Sequence, residues 1–349
     1  MPLGLPQYIM PNARVRSMIG RLLSEDEWRQ LYQARDLPGM LAILRETTYA
    51  PQLAEFENSC PPCELLEAKL NANVALRFAR VIDLTPQPGK DLVIIMKQLY
   101  EVDNLKAIMR GLEASEAAES VLPFLFPLGR AASFDVDRLL AATDIPDLVA
   151  RLQGTPYGDA MRHALVRYER ERSLFPLEVA LDLDYHQRLW RAVQALKGED
   201  RHWADLLIGT LFDIVNIMWA LRYRYYYHLS MVEIINYTLP YGRRSSDAII
   251  RAIAEGEDVN ATLRRVWGDD APTVHQEMKG WLSMLEVDLY RYLSRLARGA
   301  LVGYPFHLGV ILACLLLKRF EVHDLMVLAE AKMASLRRDE YRQYMIHEV

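Results

Sequence analysis

Apolar residues recur along most of this chain at steps of three and four. Within Asp91–Arg110, the residues Leu92, Met96, Leu99, Val102, Leu105 and Met109 fall on one face of an α-helix. Asp91 stands where an N-cap is expected. Gly111 follows the last periodic residue, where a left-handed C-terminal cap favours glycine. The same grain runs through Trp203–Tyr227 and Leu308–Ala334, whereas no two alternating segments are joined by an Asn-Gly or Asp-Gly turn. Turn-forming residues cluster at Pro86–Gly89, Pro127–Gly129, Gly154–Gly158 and Pro240–Gly242. The expected fold class is all-α.

The helical pattern also repeats. Tyr100-Glu101-Val102-Asp103-Asn104-Leu105 recurs as Phe212-Asp213-Ile214-Val215-Asn216-Ile217 and as Phe320-Glu321-Val322-His323-Asp324-Leu325, at offsets of 112 and 108 residues. Each copy reads aromatic, acid, β-branched, any residue, Asn or Asp, apolar. Upstream of each lies a Leu-Glu-x-x-Leu mark, at Leu66–Leu70, Leu177–Leu181 and Leu285–Leu289. Asp36-Leu37-Pro38 with Thr47 and Tyr49 matches Asp144-Ile145-Pro146 with Thr155 and Tyr157, every pair 108 apart; the third copy keeps only a trace at Asp258–Leu263. Leu125–Gly129 and Leu239–Gly242 are looser counterparts that close the first two copies. Constant order and near-constant spacing point to an internal triplication. The expected organisation is three helical units of about 110 residues, over 1–133, 134–243 and 244–349. The acid and the Asn or Asp inside each apolar helix need hydrogen-bond partners, supplied most simply by a helix end or backbone group of the same or the neighbouring copy. Threefold recurrence favours a packing role, since an active site needs its residues once.

Composition narrows the classes. Of 349 residues half are apolar and a quarter charged, which excludes intrinsic disorder. The net charge of −5 argues against binding a nucleic-acid backbone. Three cysteines make no disulfide framework and favour a reducing compartment. Cys60-Pro61-Pro62-Cys63 has CxxC spacing, but no second pair completes a zinc site and Cys314 stands alone in an apolar run. Met1–Met10 has no basic start and two prolines, unlike a secretory signal. Gly299–Leu317 carries no acid, Lys or Arg, yet Tyr304, Pro305 and His307 interrupt it, so Leu308–Leu317 is expected as a buried helix rather than a membrane span.

Catalytic motifs are scarce. Gly89-Lys90 is followed by Asp91, not by the Ser or Thr of a phosphate-binding loop. Glu199-x-x-His202 occurs once, whereas a di-iron bundle needs two such helices. Asp182, Asp184 and His186 crowd in sequence but are expected to face different ways around a helix. Arg222–His228 mixes cations and tyrosines; the expectation is a packed, polar helix end, with base stacking or contact with a partner protein as the other readings. No catalytic, cofactor or metal site is expected, and no partner-contact residue is assigned.

Taken together, these segments resemble a known family. Tyr8–Met18 and Leu41–Tyr49 resemble the start of the C subunit of bacterial and archaeal V/A-type rotary ATPases, whose eukaryotic form is the d subunit of the V-ATPase. Val102–Gly111 and Pro176–Leu189 resemble its middle portions, and Leu315–Lys332 its closing helix. The resemblance spans the chain, although His323 replaces the Asp of the first copy and the Cys60–Cys63 loop has no place in the pattern. It implies a compact funnel of three helical units, peripheral to the membrane at its cytoplasmic face and not spanning it. The partners so implied are the proteolipid ring and the central-stalk subunits, with no nucleic acid and no cofactor. A helical-repeat adaptor with an open solenoid, or an all-α enzyme with a dispersed site, are the competing readings.

Overall fold

A computed structural model describes residues 5–56, 60–129 and 132–347 of the chain. The part of the N-terminal reading that falls on residues 1–4 lies outside them. Every regular element among the described residues is helical. The longer helices are α1 (Leu5–Ile19), α2 (Cys63–Leu84), α3 (Gly89–Glu113), α4 (Gly158–Glu171), α5 (Phe175–Ala195), α6 (Gly198–Tyr225), α7 (Trp281–Gly299) and α8 (Leu308–Met333).

Three antiparallel pairs carry the core: α2 with α3, α5 with α6, and α7 with α8. They also touch one another in sequence order. Helix α3 packs on α5, α6 packs on α7, and α8 packs back on α2. The Leu-Glu-x-x-Leu marks explain why. Leu66, Leu70, Leu177, Leu181, Leu285 and Leu289 are all buried, and burying one such leucine is worth about 1.5–3 kcal/mol. The six helices thus make a closed circuit of contacts. Because neighbours alternate in direction, the three connections at 85–88, 196–197 and 300–307 share one end, which we call the hairpin end. Helix α1 crosses that end and packs on α8. Its Tyr8 hydroxyl donates to Asp200 at 2.6 Å, and Asp200 also accepts the Leu308 N–H at 2.8 Å. Arg16 donates to the Leu301 carbonyl at 3.0 Å.

Local signals start the shorter helices. Asp36 accepts the Gly39 N–H at 3.0 Å to cap Leu37–Leu44, Asp144 accepts the Asp147 N–H at 2.8 Å to cap Ile145–Arg151, and Asp258 accepts the Ala261 N–H at 2.7 Å to cap Val259–Trp267. The degenerate third trace therefore keeps its cap. The expected end of α3 is different. The helix runs through Gly111 to Glu113, and the left-handed residue after it is Ser115 (φ 56°). Gly111 is needed for a different reason: a Cβ there would lie 2.6 Å from Val121 Cγ2. At the other end Pro88 precedes the helix and Asp91 sits in its first turn, where a negative charge suits the dipole.

The apolar run Leu308–Leu317 is buried throughout as the first half of α8, and the interrupted part before it is a loop. Among the described residues the one helix long and apolar enough to cross a membrane is instead α6, and 72% of its most apolar window is buried in the molecule. Helix α6 also contains a π-helical turn at Asp205–Gly209, which absorbs an extra residue ahead of the second aromatic-acid mark.

If the three aspartate caps are equivalent, Asp36→Ala, Asp144→Ala and Asp258→Ala should each cost about 1 kcal/mol. Thermal or urea unfolding of the three variants checks this, and a neutral Asp258 variant would remove the third trace from the repeat.

Candidate functional site

The three acids of the aromatic-acid marks sit mid-helix on α3, α6 and α8 and are almost sealed from water, with exposures of 0% for Glu101, 1% for Asp213 and 6% for Glu321. A carboxylate so placed is costly unless hydrogen bonds replace its hydration. Each finds them in a segment beyond its own helix pair. Glu101 accepts the Tyr157 hydroxyl at 2.7 Å and the Ser133 N–H at 3.3 Å. Asp213 accepts the N–H groups of Arg244 and Ser245 at 2.9 and 2.8 Å and the Ser245 hydroxyl at 2.8 Å. Glu321 accepts the Tyr49 hydroxyl at 2.8 Å and the Leu23 N–H at 2.6 Å, reaching back across 272 residues of chain to the tyrosine.

The surrounding marks serve these bonds. Thr47 Oγ1 donates to the Leu44 carbonyl at 2.7 Å and accepts the Tyr49 N–H at 3.3 Å; Thr155 does the same with Leu152 at 2.6 Å and Tyr157 at 3.3 Å. That fixes each tyrosine beneath its acid. A cation also covers each ring: Lys318 Nζ stands 3.8 Å from the Tyr49 centroid, and the Arg188 guanidinium 5.1 Å from that of Tyr157. Lys318 pairs with Glu321 at 2.8 Å and Lys97 with Glu101 at 3.4 Å. Burial pushes the Lys318 ammonium down to about 8 despite its acid partner. The second copy has no tyrosine and uses backbone instead. Gly242 makes room for it, since a Cβ there would stand 2.6 Å from Asp213 Oδ1. Burial raises the pKa of Asp213, and the N–H donors of Arg244 and Ser245 oppose the rise.

The Asn or Asp three residues further on acts within its own copy. Asn104 accepts the Phe126 N–H at 2.8 Å and donates to its carbonyl at 3.0 Å, and Asn216 does the same with Leu239 at 2.8 and 3.0 Å. In the third copy Asp324, lacking a donor, accepts the N–H groups of Ile346 and His347 at 2.7 and 2.6 Å. Ile346 is therefore the third counterpart of the closing loop. The sequence hid it because the helix-to-loop spacing of 22 residues carries no shared side-chain type there.

Between the helix pairs lies a partly open cavity of about 310 Å³, lined by Asp103, Asp182, His186, Tyr290 and Arg319 among others. Lys106 pairs with Asp182 at 2.6 Å, and Arg222 with Glu286 at 2.6 Å. Arg110 pairs with Glu178 at 2.8 Å on the same α3–α5 junction. The counterpart of Glu178 and Glu286 on α2 is Glu67, and among the described residues no arginine pairs with it; burial and then the charges of Glu330 and Glu64 raise its pKa. Burial also raises Asp103 to about 6, opposed by Lys106 and Arg319. Burial drops His186 to about 4, opposed by its bond to the Asp182 carbonyl.

Other residues singled out in the sequence fall as follows. Asp182 and His186 face the cavity together, one helical turn apart, contrary to the expectation of separate faces. Only Asp184 turns elsewhere, to Arg188 at 2.8 Å. In Arg222–His228, Tyr223 is buried against Phe175 and Tyr237, Arg224 binds the Ala254 carbonyl, and Tyr226 and Tyr227 are exposed. Tyr223 and Arg224 fit the expected packed helix end, whereas Tyr226 and Tyr227 stand out of it. Cys60 is exposed, while Cys63 begins α2 with its Sγ 3.1 Å from Met333 Sδ. Glu199 and His202 lie on the first turns of α6. Among the described residues no group of three or more His, Cys, Asp or Glu side chains is arranged to hold a metal ion.

Comparison with known proteins decides the family. The model of the ATP synthase (C/AC39) subunit family matches residues 11–344. The chain belongs to this family. Curated relatives agree: the C subunit of the A-type ATP synthase of Methanosphaera stadtmanae is 27% identical over 94% of this chain and 84% of its own length. That of Methanothermobacter thermautotrophicus is 27% identical over 95% and 85%, and that of Haloferax volcanii 26% over 95% and 94%. Membership makes the chain a structural, non-catalytic subunit of a membrane-associated rotary ATPase.

Removing one donor from a buried carboxylate, as in Tyr49→Phe or Tyr157→Phe, should cost about 1.5–3 kcal/mol. Asp213→Ala, which leaves several N–H and hydroxyl groups unpaired, should cost more. Chemical unfolding measures all three. The cavity predicts a pH effect. His186 has a lower folded than unfolded pKa, so stability present above about pH 6.5 is lost as pH falls towards 4. Asp103 acts with opposite sign, because its raised pKa removes stability as pH rises from 3.8 to about 6. Comparing the parent with His186→Gln isolates the histidine: relative to the variant, the parent should lose about 3 kcal/mol between pH 6.5 and 4.

Proposed function

We propose that this subunit is the coupler between the central stalk and the membrane proteolipid ring of a V/A-type rotary ATPase. Three helical units, 1–133, 134–243 and 244–349, close into a compact funnel. One end seats on the ring and the other receives the stalk subunits. The subunit lies at the cytoplasmic face, peripheral to the membrane, and binds no nucleic acid. No catalytic residue, cofactor or metal is assigned to it; ATP chemistry belongs to other subunits.

The observation that carries this reading is the direction of the buried acid bonds. Glu101 of the first unit holds the second, Asp213 of the second holds the third, and Glu321 of the third holds the first. An open solenoid leaves its terminal units unjoined, whereas here α8 packs on α2. A part that passes torque between a ring and a shaft needs stiffness about its axis, and a closed set of long helices supplies it.

The test is native mass spectrometry of the tagged chain, purified in mild detergent from its own membranes. One copy with proteolipid ring and stalk subunits is expected. A lone chain, under conditions that keep the rest of the ATPase together, would overturn the coupler reading.

A further inference from the structure

Two long stretches of this acidic chain contain no Asp or Glu: residues 1–24 and residues 289–320. The fold brings them together. Helix α1 lies on α8 at the hairpin end, Arg16 is bonded to Leu301 in the α7–α8 loop, and Arg298 shares a small pocket with Ile19, Gly20 and Leu22. Arg14, Arg16, Arg295 and Arg298 are all exposed there, and among the described residues none of the four pairs with a carboxylate. Large apolar side chains stand out of the same end: Ile9 at 53% exposure, Met10 at 61%, Val302 at 76% and Tyr304 at 45%. On α1 the helical steps put Ile9, Met10, Arg14 and Arg16 on one outward face, while Tyr8, Pro11 and Val15 turn inward. Exposed acids border the patch: Glu199 beside Asp200, Asp83 and Asp91 on either side of the 85–88 connection, and Glu25 in the pocket that Arg298 shares with Ile19. The opposite end has a different character: exposed Tyr226, Tyr227 and Leu336 are interspersed with Glu116, Glu119, Asp339 and Glu340.

Arginines around projecting apolar tips match the chemistry of an anionic lipid surface. The cations meet lipid phosphates and the apolar tips enter the interfacial layer. We propose that the hairpin end docks on anionic lipid headgroups through the outward face of α1 and the α7–α8 loop. This rests on the coupler reading and adds to it which end meets the bilayer and through what chemistry. Charge complementarity selects the occupant: a neutral apolar partner gives no use to four arginines without carboxylate partners in a chain of net charge −5.

The experiment is co-sedimentation of the purified full chain with phosphatidylcholine vesicles, with and without a phosphatidylglycerol fraction, at low and high salt. Binding to the phosphatidylglycerol vesicles alone, weakened by salt, is expected. At about fivefold in partition per arginine, Arg14→Ala with Arg298→Ala should weaken binding roughly 30-fold. Met10→Ser with Val302→Ser should weaken it with little change in salt dependence, and Arg170→Ala on α4 should leave it intact. Circular dichroism melts confirm that each variant is folded. Absence of vesicle binding, equal binding to neutral vesicles, or full binding by the folded double-arginine variant overturns the proposal. So does binding to polyglutamate but not to vesicles, which would assign the patch to an acidic protein. A chain that co-purifies with the proteolipid ring yet ignores vesicles sinks this proposal alone. One that binds vesicles but never accompanies the ring sinks the coupler reading instead.

Discussion

A carboxylate buried in the middle of a helix can survive only if other groups are brought to it, and this subunit uses that demand three times. Glu101, Asp213 and Glu321 each pull in a segment from further along, or further back, in the chain. Buried apolar side chains, the leucines of the Leu-Glu marks among them, supply the greater share of the packing energy, but apolar contact is not directional and would tolerate sliding of one helix pair on the next. The carboxylates do not. A tyrosine hydroxyl or a pair of N–H groups satisfies them in one register only, so the acids set how the helix pairs are stacked.

The three solutions are chemically unequal, which separates what is retained from what is free to vary. Two use a tyrosine held by a threonine and covered by a cation; the other uses a turn opened by Gly242. Lys318 and Arg188 show that covering charge is wanted but that its origin is not, since one comes from the same helix as the acid and the other from α5. Among the described residues the junction of α8 with α2 lacks the arginine–glutamate pair of the other two and leaves Glu67 beside Glu330. Its closure leans more heavily on the Glu321 bonds.

How much of this was legible in the sequence varies with the range of the interaction. The helices are local patterns and read correctly, whereas the two caps expected for α3, Asp91 and Gly111, do not bound it, and the marks at Asp36, Asp144 and Asp258 read as a pattern but not as the caps they are. The need of Glu101, Asp213 and Glu321 for partners was also legible, because a lone acid among leucines implies one. Which groups answer it was not, since Tyr49 and Glu321 are far apart in sequence and nothing in either marks the other. Gly111 misled because glycine favours both a left-handed cap and a close side-chain approach, and only Val121 shows which applies. Asp182 and His186 were assigned to different faces through crowding with Asp184, although their spacing of four places them together. The exposed patch was missed because absence of acid is a weak signal until two such stretches are seen side by side.

The bond between Glu321 and Tyr49 bears on how the chain is made. During synthesis Tyr49 and the backbone of Leu23 leave the ribosome long before their acceptor exists. The segment around Tyr49 therefore waits, with one flank of α2 uncovered, until α8 has been completed. The groups that answer Glu101 and Asp213 follow their acids within 56 and 32 residues and wait for nothing. Such late closure over a long separation is slow and exposes apolar surface meanwhile. The earliest part of this subunit to be synthesised is thus the last to be finished.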